Sequence, residues 1–215
     1  MKYLSILVLS FTLFLSSFSF ASDKCYPYSE DYYKKVVLVV TDKGTGSGVV
    51  VGKDQVLTAK HVVEGAAKVR IAVKQDQLTT GVIVLREAEI QRHSKEHDLS
   101  LLKVSTEGLL ISEVAGQEQL DLVVWTVSHP RGGLLRTSLG IILAQNEDRV
   151  VSDTFVRRGS SGGALMACTK DGDPKLFGII STLSQKMYPG SAVPSNEGIA
   201  TSVSNKAISK FLSTP

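Results

Sequence analysis

Short apolar runs alternate with turn residues along most of this chain. Val36 to Val40 is an unbroken apolar run, β-branched except at Leu38, the pattern of a strand buried on both faces. Asp42-Lys43-Gly44-Thr45-Gly46 ends it in a turn, and apolar character resumes from Ser47 to Val51. Gly52-Lys53-Asp54 turns the chain again before Gln55 to Thr58. Further strands are predicted at Lys68 to Val73, Thr80 to Leu85 and Leu99 to Val104. The second half repeats the style at Leu122 to Val127, Gly140 to Ala144, Arg149 to Ser152, Ala164 to Ala167, Phe177 to Thr182 and Ile199 to Val203. Many short strands at regular spacing indicate an all-β barrel or sandwich. The exception is the end of the sequence. There Ala207, Ile208, Phe211 and Leu212 recur at helical spacing and predict a short amphipathic helix over 205–212. Gly108 to Gly116 is the candidate join between two β lobes, at roughly 36–108 and 117–204.

The first residues follow a different pattern. Behind Lys2, Leu4 to Phe20 is apolar except for Ser and Thr, and Ser19-Phe20-Ala21 offers small residues at a cleavage site. Residues 1–21 therefore read as a secretory signal peptide, with the mature domain at 22–215 and a secreted or periplasmic location. An uncleaved membrane anchor is the alternative reading of the same run. The 215 residues carry a net charge of +3, too mild to imply nucleic acid or a membrane surface as partner. Cys25 and Cys168 can pair in an oxidising compartment or remain two buried thiols, and spacing alone does not decide.

Candidate chemistry centres on Arg157-Arg158-Gly159-Ser160-Ser161-Gly162-Gly163-Ala164-Leu165. Glycines let a turn expose a hydroxyl and aim successive backbone N–H groups at one point. A nucleophile needs the first and a developing oxyanion the second. A serine also needs a base, and the base needs an orienting partner. Of the four histidines, His61 is delivered by the Val56-Leu57-Thr58-Ala59 strand to the start of a loop. His93 and His97 fall in a charged, exposed loop, and His129 precedes Pro130 in a turn. Asp98 opens the apolar run Leu99 to Val104, where a carboxylate can be kept dry beside an imidazole.

These stretches resemble the motifs of chymotrypsin-fold serine proteases. Thr58-Ala59-Lys60-His61 resembles Thr-Ala-Ala-His, Asp98-Leu99-Ser100-Leu101-Leu102 resembles Asp-Ile-Ala-Leu-Leu, and Gly159 to Leu165 resembles Gly-Asp/Asn-Ser-Gly-Gly-Pro/Ala-Leu, in the family's order. Gly46-Ser47-Gly48, Ser128-His129-Pro130-Arg131-Gly132, Asp153 to Ser161, Gly178-Ile179-Ile180-Ser181 and Gly198 to Val203 are similar to further segments of the bacterial HtrA/Deg branch. The resemblance implies two six-stranded antiparallel β-barrels with a short C-terminal helix. It implies Ser161 as nucleophile, His61 as base and Asp98 as its orienting partner, with an oxyanion hole from the N–H groups of Gly159 and Ser161. A peptide substrate would add as a strand along Ser181 and its neighbours, near Gly198. No cofactor and no metal are expected, since His93 and His97 lack a third ligand. Oligomeric state is left open.

The sequence departs from the family pattern in places. Ser160 stands where secreted animal-type members carry the Asp that pairs with a freed terminal amine, so that activation route is not expected. No PDZ domain is expected after the terminal helix. Phe155, six residues before the nucleophile, and Leu183 are expected to make the specificity pocket apolar and narrow, for small or medium apolar residues before the cut. Arg158 flanks the site beside Arg157. The rival reading is a catalytically latent binding or self-processing module on the same fold.

Overall fold

The structure is a computed structural model, and it describes residues 25, 27–74, 83–116, 120–170, 172–184 and 197–214. The segment read as a signal peptide, and the start of the strand expected at Thr80, lie outside these residues. Twelve strands form two closed antiparallel barrels. The first holds β1 (Val36–Thr41), β2 (Gly44–Gly52), β3 (Gln55–Thr58), β4 (Val69–Lys74), β5 (Ile83–His93) and β6 (Ser100–Lys103). Their order is β1-β2-β3-β6-β5-β4, and β4 pairs back onto β1 to close the ring. The second holds β7 (Leu120–Ser128), β8 (Arg136–Gln145), β9 (Arg149–Arg157), β10 (Ala164–Thr169), β11 (Pro174–Ser184) and β12 (Glu197–Ser204). Its order is β10-β11-β12-β9-β8-β7, closed by β7 on β10. Closure leaves neither sheet with a long exposed edge.

The burial pattern follows the two-residue period of a strand. Val37, Val39, Val50, Val56, Val69, Ile71, Val73 and Leu102 fill the first barrel. Val124, Val150, Leu165, Ala167 and Phe177 fill the second. A third cluster joins the barrels, with Leu57, Leu99 and Leu101 packed together with Trp125, Val127, Met166 and Ile179. Helix α3 (Asn205–Ser213) covers this seam with Ala207, Ile208 and Phe211. Its N-terminus is capped by Ser204, whose hydroxyl accepts from the Ala207 N–H at 3.3 Å. Arg92 of the first barrel donates to the Phe211 carbonyl at 2.8 Å and lies 4.8 Å from the Phe211 ring centre. Two short helices, α1 (Tyr32–Lys35) and α2 (Lys60–Val63), precede α3 in the sequence. Tyr32 of α1 is buried on the seam and accepts from Trp125 Nε1 at 3.0 Å, while burial raises its phenol to about 12.

The structure joins Cys25 and Cys168 by a disulfide across 143 residues, with Cα atoms 6.0 Å apart. His93 is exposed as expected but lies on a strand, and His97 lies in the loop as expected but is largely buried. Strand β5 runs on to His93, whose ring Nδ1 pairs with the hydroxyl of Ser100 on the neighbouring strand. The His97 side chain is only 13% exposed, with Nε2 3.7 Å from Asp148. Strand β9 extends five residues beyond the expected end at Ser152, to Arg157. That extension sets the walls of the cleft.

Candidate active site

His61 sits in α2, directly after β3. The strand anchors it from behind, since Ala59 is fully buried and Thr58 Oγ1 donates to the Ser47 carbonyl at 2.6 Å. Asp98 precedes β6, which pairs with β3, so strand pairing carries the two side chains to one end of the barrel. Asp98 Oδ2 lies 2.7 Å from His61 Nδ1, and Asp98 Oδ1 accepts the His61 backbone N–H at 3.0 Å. Ser181 Oγ donates to Asp98 Oδ2 at 2.6 Å. Burial alone would raise the Asp98 carboxyl, but these hydrogen bonds outweigh it and hold the carboxyl at about 2. The bond from Asp98 is also the main cause that raises His61 above its usual 6.5, against the opposing effect of burial. An ionised carboxylate on Nδ1 requires the proton there, which leaves Nε2 free to accept one.

Ser161 follows a loop that only glycine can build. Gly159 has φ +87°, and a Cβ there would lie 2.6 Å from the Arg131 N. Gly162 has φ +83°, and a Cβ there would lie 2.0 Å from the Ser47 carbonyl oxygen. Ser47, fully buried on β2, stitches the loop to the first barrel. Its N–H donates to the Ser161 carbonyl at 2.8 Å, its hydroxyl donates to the Gly159 carbonyl at 3.0 Å and accepts from the His129 N–H at 2.8 Å. Ser160 is buried in turn, accepting from Ser128 Oγ at 3.0 Å and from the Arg157 N–H at 3.3 Å. These hydroxyl contacts order the loop. The Arg158 carbonyl accepts from the Arg131 N–H at 2.7 Å. In a planar trans peptide the Gly159 N–H points the opposite way. Neither it nor the Ser161 N–H donates to another described residue.

His61 and Ser161 line one cleft of about 370 Å³. Arg158, Val156, Ile180 and Leu183 line it as well. The Ser161 hydroxyl approaches the Ser181 carbonyl at 3.5 Å. Val156, Ile180 and Ala200, with Leu183 against them, form a small apolar cluster beside it. Phe155 is placed elsewhere. In β9 the buried positions are Val150, Ser152, Thr154 and Val156, so the intervening Phe155 faces outward, 45% exposed, with its ring centre 5.2 Å from the Arg157 guanidinium. It lines a second cavity instead. Gly198 is buried on β12 opposite Val156 and does not line the cleft. The Ser181 side chain faces Asp98, not the cleft. Among the described residues, β11 beyond Ile180 pairs only with β12, so the backbone of 181–184 keeps one edge open there.

Ser47, Ser128 and Val156 lie in stretches that resemble the family, and nothing in those stretches marks their individual parts in the site. Ser47 lies within a family-like Gly-Ser-Gly stretch, yet its bonds reach residues 82 and 112 positions away. No local pattern signals contacts of that range.

Paired six-stranded barrels, with a His–Asp pair from one and a glycine-framed serine from the other, define the chymotrypsin-type architecture. The profile of the trypsin-like peptidase domain matches residues 46–179, and the chain belongs to that family. The chain is 27% identical to HhoB of Synechocystis, named as a serine protease, over 58% of this chain and 32% of that protein. It is 28% identical to a DegP-like protein of Chlamydia trachomatis, named as a periplasmic serine endoprotease, over 58% of this chain and 26% of the other. The chain thus spans a third or less of the curated relatives it matches. The crystal structure of a serine endoprotease from Yersinia pestis shares the fold, with a TM-score of 0.66 at 24% identity over 87% of this chain and 66% of that one. No helix among the described residues is long and apolar enough to cross a membrane.

Proposed function

We propose that the domain at residues 22–215 is a secreted or periplasmic serine endopeptidase acting through Ser161, His61 and Asp98. The observation behind this reading is the Asp98 carboxylate, held by three donors and fixing both the backbone and the ring of His61, with Ser161 on the same cleft. Ser161 Oγ attacks the scissile carbonyl while His61 Nε2 takes its proton. The carbonyl oxygen becomes an oxyanion, held by the unspent N–H groups of Gly159 and Ser161; one such donor is worth about 3 kcal/mol. His61 then gives the proton to the leaving amine, and water repeats the sequence to release the acyl group. The substrate backbone adds along the open edge of residues 181–184. The residue before the cut meets Val156, Ile180 and Leu183, which suit a small or medium apolar side chain. The names of the relatives support an endoprotease, and the leader at 1–21 supports export.

Labelling with a fluorophosphonate tests the reading. Wild type should be modified and Ser161→Ala should not. A panel of peptides varying only the residue before the cut should favour Ala or Val, and preference for Arg or Lys would remove the pocket assignment. A second reading, a latent form, draws on one observation: the Ser161 hydroxyl contacts the Ser181 carbonyl and not His61. Folded wild type that resists labelling would select it.

A further inference from the structure

A second cavity, of about 310 Å³, adjoins the loop that carries Ser161. Its walls come from β7, β8, β9 and that loop, and include Thr126, Ser128, Arg136, Thr137, Phe155 and Ser160. Three features give it a chemical character. Thr126, Ser128 and Ser160 are each at most 4% exposed, and their hydroxyls have little to bond to. Thr126 makes no side-chain hydrogen bond to a described residue. Ser128 and Ser160 share one bond between them, so one hydroxyl proton of the pair has no acceptor, whichever of the two donates. Next, no Asp or Glu among the described residues lines the cavity. Lastly, Arg136 has no acidic partner among the described residues. The nearby Arg157 and Arg131 do have one, since both reach Glu197, at 2.8 and 3.3 Å.

Buried hydroxyl donors with one free guanidinium call for an acceptor that carries negative charge. One unpaired cation matches a carboxylate better than a doubly charged phosphate. We propose that this cavity binds a carboxylate and that its occupancy fixes Ser160 and speeds acylation of Ser161. The carboxylate accepts a hydrogen bond from the spare hydroxyl of the Ser128–Ser160 pair and pairs with Arg136. With Ser128 donating to Ser160, the spare hydroxyl is that of Ser160, which gains a bond; the peptide after it carries the Ser161 N–H, the Gly159 N–H lies one peptide before it, and this stretch of the loop loses freedom. No covalent step is involved. The gain in acylation rests on the serine protease reading above, whereas the binding does not.

The carboxylate can come from a free acid, an acidic side group or the C-terminus of a peptide. The probes are therefore propionate, N-acetyl-Ala-Glu-Ala-amide, and N-acetyl-Ala-Ala with a free C-terminus beside its amide. Calorimetric titration uses Ser161→Ala protein, so that nothing is turned over. Labelling rates use the intact nucleophile. At least one carboxylate probe should bind while the neutral amide does not. Arg136→Gln should weaken that binding about tenfold, the loss of one charge-assisted bond. Thr126→Val, a second variant in case the first misfolds, should weaken it as well. The saturating probe should raise the labelling rate of wild type about tenfold, within the usual range of coupling between sites, and Arg136→Gln should need about tenfold more probe for the same gain. Failure of every probe to bind, binding that neither variant weakens, or inorganic phosphate binding more tightly than any carboxylate would overturn the site. Binding with an unchanged labelling rate would overturn its coupling to the loop. Arg136-dependent binding with no labelling under any condition would keep the site and defeat the protease reading, together with the claimed acceleration.

Discussion

Removing one hydroxyl, in Ser47→Ala, should damage catalysis more than its position on the neighbouring barrel suggests. Ser47 is fully buried and its hydroxyl makes two bonds, to the Gly159 carbonyl at 3.0 Å and from the His129 N–H at 2.8 Å. Alanine leaves both part-buried backbone groups without a partner among the described residues. A buried group stripped of its partner costs about 1–3 kcal/mol, so unfolding free energy should fall by that order. The Ser47 N–H still holds the Ser161 carbonyl at 2.8 Å, so the nucleophile itself stays anchored. Gly159 does not, and its N–H is one of the two proposed oxyanion donors. Full loss of a donor costs about 3 kcal/mol, and partial misplacement should slow labelling about 10- to 100-fold. The assay is the second-order rate of fluorophosphonate labelling at a temperature where urea titration shows both proteins fully folded. If folded Ser47→Ala labels within about twofold of wild type, the oxyanion loop does not depend on this bridge and the reasoning fails.

Other outcomes follow from the same geometry. Because Asp98 raises His61 above 6.5 and the base must be neutral to work, labelling should be lost as pH falls through the His61 value, with a midpoint above 6.5. Asp98, at about 2, stays ionised throughout that range. Asp98→Asn should lower the midpoint and cut the rate by about 10⁴-fold, read from a pH–rate profile of both proteins. Replacing Leu183 by Gly should enlarge the pocket and move preference from Ala or Val toward Leu or Phe before the cut, measured as the ratio of kcat/KM values. Reducing the Cys25–Cys168 bond, which spans 143 residues, should lower stability by about 2–5 kcal/mol in denaturant titrations with and without reductant.

Much of the fold is legible in the sequence because each strand announces itself locally. Val36–Thr41, Gln55–Thr58 and Ala164–Thr169 are β-branched or apolar runs bounded by turn residues, and Asn205–Ser213 carries a helical apolar stripe with a serine cap in front. Strand ends are less legible. Strand β9 passes through Asp153, which carries no strand signal of its own, because beyond an irregularity in the ladder β12 resumes pairing opposite Phe155, Val156 and Arg157. That extension reverses the expected part of Phe155: the two-residue period turns Val156 toward the cleft and Phe155 toward the outer surface.

The groups suited to chemistry are written in short stretches of residues. A glycine-framed serine, a histidine at a strand end and an aspartate before an apolar strand are local patterns, because backbone freedom and strand delivery are local properties. What holds those groups in place belongs to the assembled barrels alone. Asp98 meets His61 because β6 pairs with β3, and it meets Ser181 because the second barrel packs against the first. Ser160 is ordered by Ser128, and Gly159 by Ser47, across 32 and 112 residues of sequence. Such bonds depend on closing both barrels and pressing them together, and residues so far apart leave no joint mark on a single sequence.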